Sequence, residues 1–377
     1  MKKQVTIKEL EEKYQKNDLR FTQEKNDFLL PQIIDFIDQR KWINIRPEYQ
    51  RRLVWDKKKK SLYLESLLLN LPTPPIFLYE WDYNRYEVMD GQQRLNSIIE
   101  FYNNDLKLTG LERWSELNGF KYSTCPPMIK SGFDRRRINA IVLLIDSSYH
   151  QNDAVKNEIR KLVFERLNTG GMTLNAQEIR NCIYAGSFGD MIIELAGNSL
   201  FDEIWGIPPY EDNIIGTHIS QELANNSLFR RMADCEIVLR YFAFINKGYI
   251  KGSIKTILDE CMKRNKNLDV DTINKMKNRF IEVLGIANSV FSPDTFKITE
   301  EKKPISSKSL YDAVMVSLDR LFDLKDQIII NKEKIKTSLN SKLENQEFRE
   351  LIVGKASTAE SIKKRLDGIE GLIKNEL

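Results

Sequence analysis

Histidine and paired cysteine are scarce in this sequence. Only two histidines, His150 and His218, occur among the 377 residues, so metal sites and nucleases built on several histidines cannot be assembled from this chain alone. The four cysteines, at positions 125, 182, 235 and 261, form no Cys-x-x-Cys pair. This spacing argues against a zinc ribbon and against a disulfide scaffold, and we expect reduced, structural cysteines.

Long apolar stretches are absent as well. The longest apolar run, Ala140–Ile145, is far shorter than the roughly 18 residues that a membrane span needs. Lys2 and Lys3 are followed by polar residues rather than by the apolar core of a secretory signal. We therefore expect a cytoplasmic protein that has no membrane partner.

The motifs of two common classes of enzyme are also absent from this sequence. No Gly-x-x-x-x-Gly-Lys-Ser/Thr sequence is present, which excludes a P-loop ATPase, and nothing anchors Ser-His-Asp catalysis. At 41% hydrophobic and 30% charged residues, the chain is long enough to bury the cores of two modest domains. The net charge of +4 is too small to indicate a nucleic-acid binder, but the segment Arg46–Lys60 carries seven cations and two anions.

The spacing of apolar residues changes along the chain, as in a mixed domain followed by a helical one. It predicts helices at 27–40, 58–70, 91–102 and 153–167, strands at 42–45, 76–81, 86–89 and 138–145, and a hairpin turn at 82–84. Past Thr173 almost every segment is helix-like, including a long helix at 221–246, and 292–306 is predicted to be a polar loop. We therefore predict an α+β fold with an N-terminal extension (1–26), an α/β domain (27–172) and an all-α helical domain (173–377).

The most informative stretch is a strand that ends in Asp90-Gly91 and opens into an amphipathic helix through Gln92, Gln93 and Arg94. Gly91 permits a tight turn, and the free N–H groups of the first helical turn attract phosphate. Arg94 can add a bidentate cationic clamp, while Asp90 can cap the helix or hold a divalent cation beside phosphate. The pattern indicates an anion-binding cradle. The alternative is a plain strand–turn–helix connection with a surface arginine.

Five motifs follow one another in a fixed order. They are Pro47-Glu48-Tyr49-Gln50-Arg51-Arg52-Leu53-Val54-Trp55, Pro72-Thr73-Pro74-Pro75-Ile76, Asp90-Gly91-Gln92-Gln93-Arg94, Phe164-Glu165-Arg166-Leu167-Asn168-Thr169-Gly170-Gly171 and Leu174-Asn175-Ala176-Gln177-Glu178-Ile179-Arg180. Together they resemble the N-terminal domain family of GmrSD-type restriction endonucleases, whose fold resembles the ParB and sulfiredoxin nucleotide-binding domain. The resemblance implies a ParB/sulfiredoxin-like domain that binds and hydrolyses a nucleoside triphosphate at the Asp-Gly-Gln-Gln-Arg motif.

The sequence departs from two of these relatives. Sulfiredoxin chemistry requires a cysteine in the glycine-led turn, where Gln92 and Gln93 stand here, so sulfinic acid reduction is not expected. GmrSD enzymes carry a histidine-rich nuclease domain, which two scattered histidines cannot reproduce. The resemblance therefore points to a stand-alone member that acts beside a separately encoded nuclease in defence against phage.

The stretch from Glu165 to Arg180 is a second candidate site. In the functional interpretation, three residues lie near the bound phosphate: Asn168, Gly170 and Gly171. Glu165 is then a reserve candidate for activating water. In the structural interpretation the stretch is a helix–loop–helix corner, in which Asn175 and Glu178 form a capping box at the start of the second helix.

The basic segment Arg46–Lys60 has two interpretations. In the first, it binds DNA together with a second basic stretch, through Arg52, Lys57, Lys58, Arg135 and Arg136. In the second, the lysines are only the solvated start of a helix. The residues that would then face the nucleotide are Tyr49, Gln50 and Arg51.

The leading hypothesis is a two-domain protein whose α/β domain binds a nucleoside triphosphate and whose helical domain couples the nucleotide state to DNA or to a partner nuclease. The triphosphate would lie on the helix terminus at Gly91, with Arg94 neutralising charge and Asp90 holding Mg²⁺ or orienting water. One alternative is a non-catalytic DNA-binding or toxin-neutralising partner protein. Another is a metal-dependent nuclease that nicks DNA through the α/β domain.

Overall fold

The structure is a computed structural model that describes residues 6–15, 21–45, 55–145, 162–163, 175–215, 218–300, 303–353 and 358–377. By its internal contacts the chain divides into two units, Met1–Leu174 and Asn175–Leu377. The predicted helix at 153–167 lies almost wholly outside the described residues.

The first unit is built on a five-stranded mixed sheet. Its strands are β1 (Phe21–Leu29), β2 (Ile43–Asn44), β3 (Ile76–Asp82), β4 (Arg85–Asp90) and β5 (Arg137–Ile145), in the spatial order β1-β5-β3-β4-β2. Strands β1 and β5 are antiparallel, as are β3 and β4, whereas β3–β5 and β2–β4 are parallel. The predicted strands at 76–81, 86–89 and 138–145 are confirmed, and so is the hairpin turn, where Asn84 takes a positive φ of 53°.

Strand β1 was missed in the sequence. The helix predicted at 27–40 begins only at Leu30, since residues 27–29 belong to β1, and residues 21–26 of the predicted N-terminal extension also lie in this strand. Positions 22 to 25 are all exposed, so the strand has no alternation of apolar and polar residues to reveal it. Pairing with β5 along the whole of its length holds it in the sheet.

The helices of the first unit are α1 (Ile7–Gln15), α2 (Leu30–Ile34, continued by a π-helical turn at Asp35–Gln39), α3 (Lys57–Leu68), α4 (Gln92–Tyr102) and α5 (Pro127–Asp134). Helices α2 to α5 share one hydrophobic core with the sheet, whereas Ile7 and Leu10 of α1 are exposed. Asp56 caps α3 by accepting a hydrogen bond from the Lys59 amide (2.7 Å). The core includes Leu30, Ile33, Leu64, Leu67, Ile76, Leu78, Val88, Leu95, Ile98, Phe101, Phe133 and Ile138, all of which are buried.

The second unit is mostly helical. Its helices are α6 (Ala176–Ile183), α7 (Ser187–Leu195), α8 (Ser199–Trp205), α9 (Tyr210–Asn213), α10 (Gln221–Asn225), α11 (Ser227–Arg230), α12 (Ala233–Phe244), α13 (Ile254–Asn265), α14 (Val270–Phe291), α15 (Lys308–Arg320), α16 (Lys325–Ile330), α17 (Lys332–Glu344), α18 (Gln346–Val353) and α19 (Ala359–Asn375). Two short hairpins, β6 (Ile214–Ile215) with β7 (His218–Ile219) and β8 (Lys297–Glu300) with β9 (Lys303–Ser306), correct the all-α prediction.

Two further predictions for this unit are wrong in detail. The single helix expected at 221–246 is three helices, because Asn226 caps α11 through the amides of Leu228 and Phe229, and Met232 has a left-handed φ of 52°. The polar loop expected at 292–306 contains the β8–β9 hairpin. At Asn226 a local polar side chain, rather than apolar spacing, decides where a helix begins, whereas the hairpin is held by backbone pairing.

Buried aromatic and aliphatic residues fill the core of the second unit. They include Phe188, Ile192, Phe201, Val238, Tyr241, Phe244, Phe280, Leu284, Tyr311, Val314, Leu318, Leu366 and Ile369. Inside it, the guanidinium of Arg240 on α12 makes a bidentate ion pair with Asp312 on α15, with Nε donating to Oδ1 at 2.9 Å.

Three cysteines, Cys125, Cys235 and Cys261, are buried and free in the described part of the chain, as expected. No helix within the described ranges is both long and apolar enough to cross a membrane.

Candidate functional site

The candidate site is the turn between β4 and α4, formed by Asp90, Gly91 and Gln92 and called here the Gly91 turn. Gly91 has a φ of +102°, which L side chains rarely adopt. A Cβ at this position would lie 2.4 Å from Cγ2 of Ile76 on the neighbouring strand. Both the backbone conformation and the close approach therefore require glycine, as the sequence predicted.

The N-terminus of α4 follows directly. Gly91 is its N-cap residue, and glycine has no side chain that could accept a hydrogen bond from the first turn. Four backbone N–H groups at a helix start have no partner inside the helix, and the helix dipole places partial positive charge there. This end of α4 can therefore accept an anion.

Arg94 is placed differently from the expected phosphate clamp. Its side chain is only 9% exposed, and Nη2 donates to Oδ2 of Asp90 at 2.8 Å. Nη1 donates to the backbone carbonyls of Pro74 and Pro75, the latter at 3.1 Å. Arg94 thus fastens the proline segment before β3 to the start of α4, and it holds the Asp90 carboxylate in position.

Asp90 is the accessible charged group of the turn. Its side chain is 59% exposed although one carboxylate oxygen is paired with Arg94. Because Mg²⁺ keeps most of its waters and typically uses one or two carboxylates together with substrate phosphates, one exposed aspartate beside an anion-binding helix end fits this ion. Within the described residues, no group of three or more His, Cys, Asp or Glu side chains could hold a metal without such a substrate.

The two glutamines of the motif have different surroundings. Gln93 Oε1 accepts a hydrogen bond from the amide of Trp55 at 3.1 Å, which ties α4 to the segment before α3. Gln92 is only 8% exposed, and its Oε1 has no hydrogen-bond partner among the described residues. A buried polar atom without a partner is costly, by about 1–3 kcal/mol, so Gln92 is a candidate for contact with a ligand.

The neighbours of Arg94 include a buried tyrosine. Burial raises the pKa of Tyr63 on α3 to about 12, and the charge of Arg94 acts in the opposite direction. Tyr63 is therefore a neutral phenol at physiological pH. Its ring packs edge-to-face against Trp55 at 5.8 Å between centroids, and Lys59 Nζ lies 5.0 Å from the Trp55 centroid.

Several predicted site residues lie outside the described part of the chain. These are Tyr49, Gln50, Arg51, Arg52, Glu165, Asn168, Gly170 and Gly171. The structure brings together Asp90, Gly91, Gln92, Gln93 and Arg94, as their adjacency in sequence requires, and the predicted contact with the Asn168 segment stays a prediction.

The residues predicted to bind DNA divide into two groups. Lys57 and Lys58 are exposed in the first turn of α3, and Arg135 is exposed after α5. Arg136 is partly buried, and its Nη2 donates to the carbonyl oxygen of Leu68 at 2.8 Å. Arg136 therefore links the end of α5 to the end of α3, whereas the other three cations face solvent.

Two buried polar contacts near the site had no signal in the sequence. Lys60 Nζ donates to both carboxylate oxygens of Glu100, each at 2.7 Å, and so joins α3 to α4. Glu65 accepts hydrogen bonds from three successive backbone amides, those of residues 112, 113 and 114. Lys60 belongs to the run of lysines, and only its helical phase, with Tyr63, Leu64 and Leu67 on the buried side, could have distinguished it from Lys57 to Lys59.

The last predicted motif lies at the start of the second unit. The capping box is confirmed: Asn175 Oδ1 accepts from the amide of Glu178, and Glu178 Oε2 accepts from the amide of Asn175. Arg180 is buried and pairs with Asp259 on α13 at 2.7 Å and with Glu236 on α12 at 3.4 Å. These polar residues anchor α6 to α12 and α13.

Comparisons with known proteins match part of the chain to one family. No curated protein matches it. A solved structure described as a Pnob8-like ParB-N domain is 14% identical, covering 94% of this chain and 99% of that chain, with a TM-score of 0.25, which is too low to support an argument. Residues 30–185 match the family model "GmrSD restriction endonuclease, N-terminal domain", which confirms the resemblance carried by the five motifs. The segment 30–185 of this chain is therefore similar to a GmrSD-type N-terminal domain.

Proposed function

We propose that this protein is a component of a restriction or anti-phage defence system whose first unit binds and hydrolyses a nucleoside triphosphate at the Gly91 turn. The observation that carries the proposal is the exposed Asp90 carboxylate beside the uncapped start of α4. The unpartnered Oε1 of Gln92 in the same turn supports it. In this proposal the nucleotide state controls binding to DNA or to a separately encoded nuclease.

The polyphosphate would lie against the first-turn amides of α4. Mg²⁺, when bound with the nucleotide, would neutralise charge on the phosphates and would be held by Asp90. Gln92 would direct its amide oxygen to a donor on the nucleotide or on a water molecule. Arg94 positions Asp90 and the Pro74–Pro75 backbone rather than clamping phosphate.

The remaining predicted residues enter this proposal as expectations. Tyr49, Gln50 and Arg51 are expected to face the nucleotide, and Glu165 to activate water. The residues expected to approach the phosphates from the second motif region are Asn168, Gly170 and Gly171.

The test is release of phosphate from ATP, GTP, CTP and UTP with Mg²⁺, with and without DNA, by the wild type and by Asp90→Asn. Asparagine keeps the shape of the side chain and can still accept a hydrogen bond from Arg94, but it loses the charge that holds Mg²⁺. We expect turnover to fall at least tenfold, roughly the effect of removing one charged interaction worth over 1.4 kcal/mol, with little change in thermal stability.

Asp105→Asn is the matched control, because Asp105 is an exposed carboxylate just beyond the other end of α4. Its turnover should equal that of the wild type. Arg94→Ala would be a poor test, since it also removes the donors to the Pro74 and Pro75 carbonyls and so weakens the fold. Full turnover by Asp90→Asn, or no binding of any of the four triphosphates by the wild type, would refute the proposal.

A further inference from the structure

A second basic region lies in the second unit, around α13. Between Lys247 and Lys266 the sequence has six cations and two anions, a net charge of +4 that equals the net charge of the whole chain. Five of these residues define what we call the α13 surface: Tyr249, Lys251, Lys255, Lys263 and Arg264. All five are exposed.

Little negative charge opposes these cations. Of the two anions in the stretch, Asp259 accepts a hydrogen bond from the buried Arg180 at 2.7 Å and is neutralised by it. Glu260 is the other and is exposed. Lys251, Lys255 and Lys263 have no ion-pair partner within the described residues. Their charges therefore project into solvent.

Arg264 is held in a fixed orientation on this surface. Its Cζ lies 3.5 Å from the ring centroid of Tyr249, which is half exposed, so the guanidinium stacks on the ring. Stacking leaves the N–H edges of a guanidinium free to donate to phosphate oxygens. This positioned arginine makes the region more than a run of mobile lysines.

The extent of the surface matches a polyanion with closely spaced charges. Lys255 and Lys263 are eight positions apart on α13, which corresponds to about 12 Å along the helix. Duplex DNA carries one charge per roughly 1.7 Å of its axis, so several phosphates lie within that distance.

We propose that the α13 surface binds the phosphate backbone of double-stranded DNA, and that it does so without nucleotide. Single-stranded DNA is less suitable, because it is bound by successive aromatic side chains, whereas this surface has one tyrosine with one ring face covered by Arg264. A membrane surface is less suitable too, because insertion needs exposed apolar side chains, and the five residues include none beyond Tyr249.

The test uses the full chain with three substitutions, Lys251→Gln, Lys255→Gln and Lys263→Gln, and a short labelled duplex in the absence of nucleotide. Affinity is measured at several salt concentrations between about 50 and 200 mM. We expect the slope of log K against log salt to become shallower by about 0.9 for each phosphate that the variant no longer neutralises, and the affinity at the lowest salt to fall on the order of 100-fold.

The matched control removes the same charge elsewhere in the second unit, through Lys275→Gln, Lys332→Gln and Lys334→Gln on α14 and α17. All three of these lysines are exposed. This variant should keep the wild-type affinity and slope. A second comparison, Lys57→Gln with Lys58→Gln, tests the basic start of α3 in the first unit.

Three results with the duplex would overturn the proposal: an equal loss of affinity in the α13 variant and the matched control, no loss of affinity in the α13 variant, or a loss only in the α3 variant. Tighter binding of single-stranded DNA or of anionic vesicles than of the duplex would overturn it as well. Because the assay contains no nucleotide, its outcome is independent of whether the Gly91 turn hydrolyses triphosphates.

Discussion

At the scale of single residues, the Asp-Gly-Gln-Gln-Arg motif shows what a sequence can and cannot say about a site. The need for glycine at position 91 could be predicted, since a strand running directly into a helix requires a sharp turn. The direction of the Arg94 side chain could not, because its acceptors are carbonyls of Pro74 and Pro75, 20 and 19 positions earlier in the chain. The sequence pattern predicts that Arg94 binds phosphate, whereas in the fold its guanidinium holds the Pro74–Pro75 backbone and Asp90 in position.

Gln92 gives the prediction at this scale. Replacing it with methionine, which has a similar length, removes a buried amide oxygen that has no partner among the described residues. If that oxygen serves a ligand, Gln92→Met should leave the free energy of unfolding unchanged or raise it by about 1 kcal/mol, yet weaken binding of the triphosphate. Urea denaturation without nucleotide and calorimetric titration with nucleotide measure the two effects. Loss of stability together with unchanged affinity would show that Gln92 has a structural role instead.

At the scale of elements, burial determines which helices and strands can be predicted from the sequence. Strands β3 and β5 and helices α3 and α4 have buried faces, so their apolar spacing revealed them. Strand β1 and the β8–β9 hairpin consist mostly of polar residues and pair through their backbones with a neighbour, so apolar spacing does not predict them. The apolar spacing between 221 and 244 continues across the capping residue Asn226, so it predicts one helix where the structure has three.

Glu65 links an element to a loop and gives a prediction that depends on pH. Burial by itself would raise the pKa of Glu65, but the hydrogen bonds from the amides of Trp114, Arg113 and Glu112 outweigh it and hold the pKa below its ordinary value of 4.5. A carboxylate with a lowered folded-state pKa stabilises the protein fully above its unfolded pKa, and this contribution is lost as the pH falls through the folded pKa.

Glu65→Gln should therefore reduce the free energy of unfolding by about 1–3 kcal/mol at pH 7, and the difference from the wild type should shrink as the pH falls below about 4.5. Urea denaturation at a series of pH values measures this. Glu116→Gln, at an exposed glutamate nearby, is the control and should have little effect at any pH. A difference at Glu65 that stays constant down to acidic pH would show that packing, not charge, is responsible.

At the scale of the whole molecule, the two units have separate hydrophobic cores. Every buried residue in the first core lies between positions 30 and 142, and every one in the second lies between 188 and 373. About 200 residues suffice for a domain that buries most of its apolar surface. The second unit should thus fold without the first, and this matters for function because the α13 surface lies entirely within it.

A fragment of residues 175–377 should be helical by circular dichroism and should unfold cooperatively on heating. The ion pair between Arg240 and Asp312 provides an internal check, because both side chains are buried. Asp312→Ala leaves the Arg240 charge buried without its partner, so it should lower the free energy of unfolding of the fragment by about 3–5 kcal/mol. Glu333→Ala on the exposed side of α17 should change it little. An uncompensated charge is costly only inside a packed interior. Two results would therefore show that this core does not form independently: unfolding of the fragment without a cooperative transition, or equal stability of the Asp312→Ala and Glu333→Ala variants.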